Sequence, residues 1–264
     1  MGPSNTGSAH ALLVNTEQHS QGSVYRLTVN RPEKLNILHS AVMTEMNSAL
    51  ARIAEDDSAR VVILAGAGDK AWIGGADINE MVALNSETAK AFITRLHSVC
   101  LALRELPVPV IASIDGFCLG AGLEIAACCD LRIATPVSRF GMPEVLVGIP
   151  SVIEAAVLPR LIGTGRARDL VMTGRIIDAN EATAWGLVEC VEANQQLDAV
   201  VNERVGMILN AGPKAIRSQK KLCRGWEELT LNESIQAGID AFGEAYASDE
   251  PREYMQRFLS RRRD

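Results

Sequence analysis

Two stretches constrain this chain more than any other feature. Arg60-Val-Val-Ile-Leu-Ala65 and Val108-Pro-Val-Ile-Ala-Ser-Ile114 are apolar runs closed by the turns Gly66-Ala-Gly68-Asp69 and Asp115-Gly116. The first lacks any polar alternation, as a strand buried on both faces requires. A helical pattern follows each run. Phe92, Leu96, Val99, Leu103 and Leu106 step by four and three after the first, and an apolar helix is predicted over about 121–129 after the second. Earlier, Val24, Tyr25, Leu27 and Val29 predict a strand over 23–30, ended by Arg31-Pro32. Val42, Met46, Ala49, Leu50 and Ile53 then repeat at helical spacing behind Ser40, read as the N-cap. Strand, turn and helix alternate, which predicts an α/β fold with largely parallel strands.

Beyond Leu197 the strand signals stop. Helices are predicted over 213–223, with Pro213 in the first turn, over about 232–247 and over 251–263. The division expected is therefore a loose tail at 1–20, rich in Ser, Asn, Gly and Gln, an α/β body at 21–196, and a helical lid or oligomerisation arm at 197–264. No internal repeat or low-complexity tract is visible.

Composition removes several functions. The chain of 264 residues has 26 Lys+Arg against 32 Asp+Glu, a net charge of −6, which opposes binding to nucleic acid or an anionic membrane. The apolar region 108–129 is interrupted by Pro109, Asp115, Glu124 and glycines and does not read as a spanning helix. With Arg26 as the first basic residue, no targeting segment is expected, and a soluble, cytoplasmic protein is. The six cysteines form no C-x-x-C pair and the four histidines no H-x-x-x-H, so buried thiols are expected and no metal site.

Two segments place small residues where a strand hands over to another element: Trp72-Ile-Gly74-Gly75-Ala76-Asp77 and Gly116-Phe-Cys-Leu-Gly120-Ala121-Gly122-Leu-Glu124. Small residues let another group approach the main chain. The second segment opens a helix, whose first amides carry the positive end of the dipole. Two such amides on one carbonyl oxygen would form an oxyanion hole; tight turns and helix–strand packing are the alternative use of the same glycines. The third small residue of G-x-G-x-x-G is missing and there is no G-K-[ST], so a nucleotide site fits less well.

Glu124 sits in a run so apolar that its helix is expected to be buried, and Glu144 follows Pro143 among apolar neighbours. A buried carboxylate is either paired, here with Arg132, Arg139 or Arg160, or kept for proton transfer.

These segments and the Pro143-Glu144 motif resemble the enoyl-CoA hydratase/isomerase family, the crotonases. The likeness runs nearly end to end, through Asn30-Arg-Pro, Gly74-Gly-Ala-Asp77, Gly116 to Glu124, Cys129-Asp-Leu-Arg-Ile-Ala134, Phe140-Gly-Met-Pro-Glu144, Leu158-Pro-Arg-Leu-Ile-Gly163 and Phe258-Leu-Ser-Arg261. The resemblance implies a crotonase-like spiral of ββα units with a C-terminal helical trimerisation region, assembled as a homotrimer or a dimer of trimers. It implies an acyl-CoA thioester substrate, with no cofactor besides the CoA that is part of it. By motif, the oxyanion donors would be Ala76 and Ala121 and the acid/base pair Glu124 and Glu144. CoA would lie against Lys34, Leu35, Lys70 and Gly74, with Phe258 and Arg261 supplied by a neighbouring subunit. Keeping both glutamates favours hydration of a 2-enoyl-CoA to a 3-hydroxyacyl-CoA. The alternatives are a Δ3,Δ2-enoyl-CoA isomerase or another crotonase acyl-CoA reaction or, in another class, an RNA-binding or non-catalytic relative.

Where studied hydratases carry a glycine-rich P-G-x-G-G stretch, this chain has Pro150-Ser151-Val-Ile-Glu154. Ser151-x-x-Glu154 before an apolar run reads as a capping box, with a third active-site carboxylate as the other reading. Trp72, in place of the usual Phe, reads as packing, and Glu33 stands where some relatives are basic.

Overall fold

The apolar run at 60–65 lies inside a six-stranded sheet. The structure, a computed structural model, describes residues 10–261, Arg261 by its backbone alone. The strands are β1 (Leu12–His19), β2 (Gly22–Val29), β3 (Ala59–Gly66), β4 (Ala71–Ile73), β5 (Val110–Ile114), β6 (Phe117–Leu119), β7 (Leu131–Ala134), β8 (Arg139–Gly141), β9 (Ile176–Asp178) and β10 (Cys190–Val191). They form a large sheet in the order β1-β2-β3-β5-β7-β10 and a small one in the order β4-β6-β8-β9. The helices are α1 (Ser40–Ala54), α2 (Ile78–Met81), α3 (Ser86–Glu105), α4 (Ala121–Cys128), α5 (Leu158–Ile162), α6 (Thr164–Thr173), α7 (Ala179–Ala184), α8 (Leu197–Asn210), α9 (Pro213–Gly225), α10 (Leu231–Ala245) and α11 (Glu250–Arg261). A strand in the large sheet, a strand in the small one and then helix recur as β3-β4-α3, β5-β6-α4 and β7-β8-α5, and this recurrence is the ββα spiral.

The period-two geometry of β3 explains its unbroken apolar sequence. Val62 and Leu64 face the main core with α1 and α3, while Val61 and Ile63 face a second cluster closed by Leu197, Val201, Val205 and Leu209 of α8. Each such burial contributes about 1.5–3 kcal/mol.

Three expectations change. Residues 12–19, placed in the loose tail, form β1, which pairs antiparallel with β2 from Leu12↔Val29 to His19↔Gly22; residues 1–9 lie outside the described part. Its side chains are exposed after Leu12, and the apolar start Leu12-Leu13-Val14 gives way to Asn-Thr-Glu-Gln-His, so this edge strand showed no sustained pattern. The division at 197 separates α8 from the sheet it covers; by packing α8 is part of the body, and the helices after it are α9 to α11. The N-cap of α1 is His39, whose Nδ1 accepts from the amides of Ala41 and Val42 at 3.1 and 3.2 Å, while the Ser40 hydroxyl accepts from Arg95 at 2.7 Å and donates to Glu80. Among the described residues no helix is long and apolar enough to cross a membrane.

Candidate active site

The small sheet, whose strands are too short to stand out in the sequence, positions the site. Strands β4, β6 and β8 are parallel neighbours, so their carboxyl ends lie along one edge. After β4 comes Gly74-Gly75-Ala76, after β6 Gly120-Ala121, and after β8 Met142-Pro143-Glu144. All three line one cavity of about 320 Å³, completed by Ile78, Met81, Phe92, Leu96 and Leu146.

Two backbone amides open into this cavity. Ala76 bridges Leu38 in parallel fashion, and that ladder uses the groups on either side of it: Leu38 N–H donates to Gly75 O at 2.8 Å and Asp77 N–H to Leu38 O at 2.9 Å. The N–H of Ala76 therefore points away from the bridge. Ala121 is the first residue of α4, where no intrahelical acceptor exists, and its N-cap Gly120 has no side chain to offer one. Among the described residues neither amide donates a hydrogen bond.

Two glycines are dictated by contact. A Cβ on Gly122 would overlap the Ile73 carbonyl, so only glycine seats α4 this closely on β4. Gly120 has φ +51°, and a Cβ there would lie 2.5 Å from Glu144 Oε1. The glycine that leaves Ala121 uncapped also makes room for the second carboxylate.

Glu124, 3% exposed, accepts at Oε1 from Ala155 N–H at 3.2 Å. Burial, chiefly, and then the charges of Glu144 and Glu154 push its carboxyl up to about 8, against the pull of the Ala155 amide. Glu144 is half-buried and its Oε2 accepts from Ser151 Oγ at 2.9 Å. None of the three arginines suggested as partners reaches either carboxylate. Arg132 bonds Glu189 and the carbonyls of Ala126, Cys129 and Leu187, Arg139 bonds the Pro136 and Ser138 carbonyls, and Arg160 faces Glu227 at 3.9 Å.

The capping-box expectation fails. The turn at Ile153–Val157 has Val152 as its N-cap and no side-chain cap; Ser151 instead bonds Glu144, and Glu154 is buried against His97, with Oε1 2.7 Å from Nδ1. Pattern alone suggested a cap because the box and this arrangement share a spacing. Trp72 is packing, as expected: it is buried and its Nε1–H donates to Leu64 O at 3.1 Å.

Of the residues expected to hold CoA, Lys34, Leu35 and Lys70 are exposed and do not line the cavity, while Gly74 does, and its N–H donates to Leu35 O at 2.9 Å, tying that turn to the cavity wall. The turn survives two left-handed residues, Leu35 at φ 54° and Asn36 at φ 53°, because the fully buried Asn36 side chain holds it. Its Oδ1 accepts from Arg31 N–H at 2.8 Å and its Nδ2 donates to Ala67 O and Ala71 O at 2.9 and 2.6 Å. Asn36 was not singled out from the sequence; a lone Asn after Lys-Leu gave no signal beyond its tolerance of left-handed backbone. Phe258 lies exposed on α11, outside this cavity, and the Arg261 side chain lies outside the described residues.

A spiral of ββα units that brings two unengaged amides and two carboxylates to one apolar cavity defines a class of acyl-transforming proteins, and comparison with known proteins identifies it. Residues 19–264 match the family described as Enoyl-CoA hydratase/isomerase. The short-chain-enoyl-CoA hydratase of Clostridium acetobutylicum is 35% identical over 252 residues, covering 95% of this chain and 97% of that protein. The crotonyl-CoA hydratase of Syntrophomonas wolfei is 35% identical over 238 residues, covering 90% and 92%. The crystal structure of an enoyl-CoA hydratase from Bacillus anthracis superposes with a TM-score of 0.90 at 33% identity, covering 95% of this chain and 96% of that one. The chain belongs to the enoyl-CoA hydratase/isomerase family.

Proposed function

We propose that this protein is an enoyl-CoA hydratase that adds water reversibly across the double bond of a 2-enoyl-CoA thioester, giving a 3-hydroxyacyl-CoA. The observation that carries the reading is the facing of two buried or half-buried carboxylates, Glu124 and Glu144, across a cavity into which the Ala76 and Ala121 amides open. The thioester oxygen accepts from both amides. As water attacks the β-carbon, negative charge develops on that oxygen, and each amide contributes about 3–4 kcal/mol to the transition state. Glu124, its proton affinity raised by burial, orients the water and takes its proton. Glu144, steadied by Ser151, gives a proton to the α-carbon. The apolar wall of Met81, Phe92, Leu96 and Leu146 takes the acyl chain.

The CoA moiety lies over the Lys34-Leu35 turn, Lys70 and Gly74, with Phe258 and Arg261 reaching it from a neighbouring subunit. Coenzyme A enters as part of the substrate and the chemistry needs no other cofactor. A homotrimer or dimer of trimers is supported by α10 and its C-cap Tyr246, which expose Leu231, Ile235, Ile239, Phe242 and the Tyr246 ring, side chains spaced for one helical face. Analytical ultracentrifugation reads that state directly.

The activity is tested by incubating a panel of 2-enoyl-CoA thioesters and following loss of the conjugated absorbance, with product mass measured. The expected product is heavier by one water. Unchanged 2-enoyl-CoA together with conversion of a 3-enoyl-CoA at constant mass would make the protein an isomerase instead.

A further inference from the structure

Behind the Glu124 carboxylate lies a second charged arrangement that the reaction as described does not use. Glu154, 4% exposed, bonds His97 of α3 through Oε1, and its Oε2 is buried without a hydrogen-bond partner among the described residues. A carboxylate with one oxygen unsatisfied is a poor way to stabilise a fold. The residue before it, Ile153, has φ +38°, a region in which a β-branched side chain is strained. The residue after it is Ala155, whose N–H, donated within the turn to Val152 O at 2.9 Å, is shared with Glu124 Oε1 at 3.2 Å. Strain, an unsatisfied buried oxygen and a contact to a catalytic carboxylate thus fall on three consecutive residues.

We propose that His97 and Glu154 form a positioning pair for Glu124: His97 anchors the Glu154 side chain, and the anchored side chain holds the strained turn that delivers the Ala155 N–H to Glu124 Oε1. The inference rests on Glu124 being the base that takes the proton of water. The pair also brings a buried negative charge up to Glu124, and that charge adds to the rise in Glu124's proton affinity.

The groups around the turn leave few other sources for such an effect. From α3 come His97 and Cys100, from α4 Glu124 and Cys128, and from the preceding turn Glu144, while Arg160 of α5 faces Glu227. The Cys100 thiol is kept neutral by its hydrogen bond with Cys128 and by burial. His97, with nearly half its side chain exposed, is the hydrogen-bonding partner on the solvent side, and Glu154 connects it to the interior.

Two properties are separated by substitution. His97→Phe keeps a ring and removes the donor; His97→Asn keeps a donor near the Nδ1 position; Glu154→Gln keeps the shape and removes the charge. Each is assayed with a 2-enoyl-CoA for kcat, KM and the pH profile of kcat/KM, beside Glu124→Gln. H97F is expected to lower kcat about tenfold with KM within about twofold, and H97N to restore most of it. E154Q is expected to move the midpoint of the pH profile down by about half a pH unit or more. H97F and E154Q variants with the wild-type kcat and midpoint overturn the proposal, even if their melting temperatures change. Should H97F fail to fold, the E154Q midpoint decides, and an unmoved midpoint overturns it. Loss of activity in E124Q alone, with both other positions neutral, leaves the Glu124 reading intact and removes only the pair. A fully active E124Q removes both.

Discussion

Replacing Glu124 by Gln separates what this residue does for the reaction from what it costs the fold. Burial raises its carboxyl from an ordinary 4.5 to about 8. At about 1.4 kcal/mol per pH unit, that rise corresponds to about 5 kcal/mol by which the folded state disfavours the charged form, an upper value. The sign follows from proton binding. Below pH 4.5 the group is protonated in both states and contributes no pH dependence. Between 4.5 and about 8 the unfolded chain ionises first, the folded protein holds the extra proton, and stability falls as pH rises; above about 8 the loss is complete. Gln keeps the shape, can still accept from the Ala155 amide and never ionises. Ligand-free E124Q is therefore expected to match the wild type near pH 4.5 and to exceed it at pH 9, by about 1–4 kcal/mol once relaxation of the site is allowed for. Urea denaturation at the two pH values, read by circular dichroism, checks this. Turnover of 2-enoyl-CoA by the same variant is expected to fall by about 10²–10⁴. An E124Q protein less stable than wild type at pH 9, or equal to it at every pH, would refute the argument that burial penalises the charged carboxylate.

Other outcomes follow from the same geometry. For hydration in the wild type, kcat/KM is expected to fall as pH rises through about 8, because once both carboxylates are ionised Glu144 has no proton to give the α-carbon; a flat profile from pH 6 to 9 removes the pair from its acid/base role. Gly120→Ala puts a Cβ against Glu144 Oε1 at a positive φ, so kcat is expected to drop at least about tenfold, and an active G120A shows that Glu144 is not held there. Ser151→Ala removes a hydrogen bond to a carboxylate worth about 1.5–3 kcal/mol; the expected loss in kcat/KM is about tenfold, measured by initial rates. Asn36→Ala leaves two carbonyls and an amide unpaired beneath the Lys34-Leu35 turn. It is expected to lower stability by about 2–4 kcal/mol in urea unfolding and to raise KM for the thioester more than it lowers kcat.

The sequence by itself determined three strands of the large sheet, β2, β3 and β5, the helices α1, α3 and α4 and those after α8, and the candidate residues of the site. Apolar runs such as 60–65 and stripes such as Phe92 to Leu106 depend on local period, and period is written in the residues. Glu124, Glu144 and the small-residue segments were legible as candidates, because a buried carboxylate must be paired or used and strand-end glycines bare the main chain; the resemblance to the crotonases chose between those readings. Only the tertiary structure decided the rest. It placed β1 at an edge, where exposed side chains suffice, and assigned α8 to the body because the second face of β3 needs covering. It set the short strands β4, β6 and β8 side by side, so that three distant segments meet at one edge. Ser151 and Glu154 show the difference most clearly: their spacing fits a helix cap, yet one turns to Glu144 and the other to His97. A hydrogen-bonding side chain takes the partner that folding brings nearest, and that partner is set by contacts from elsewhere in the chain.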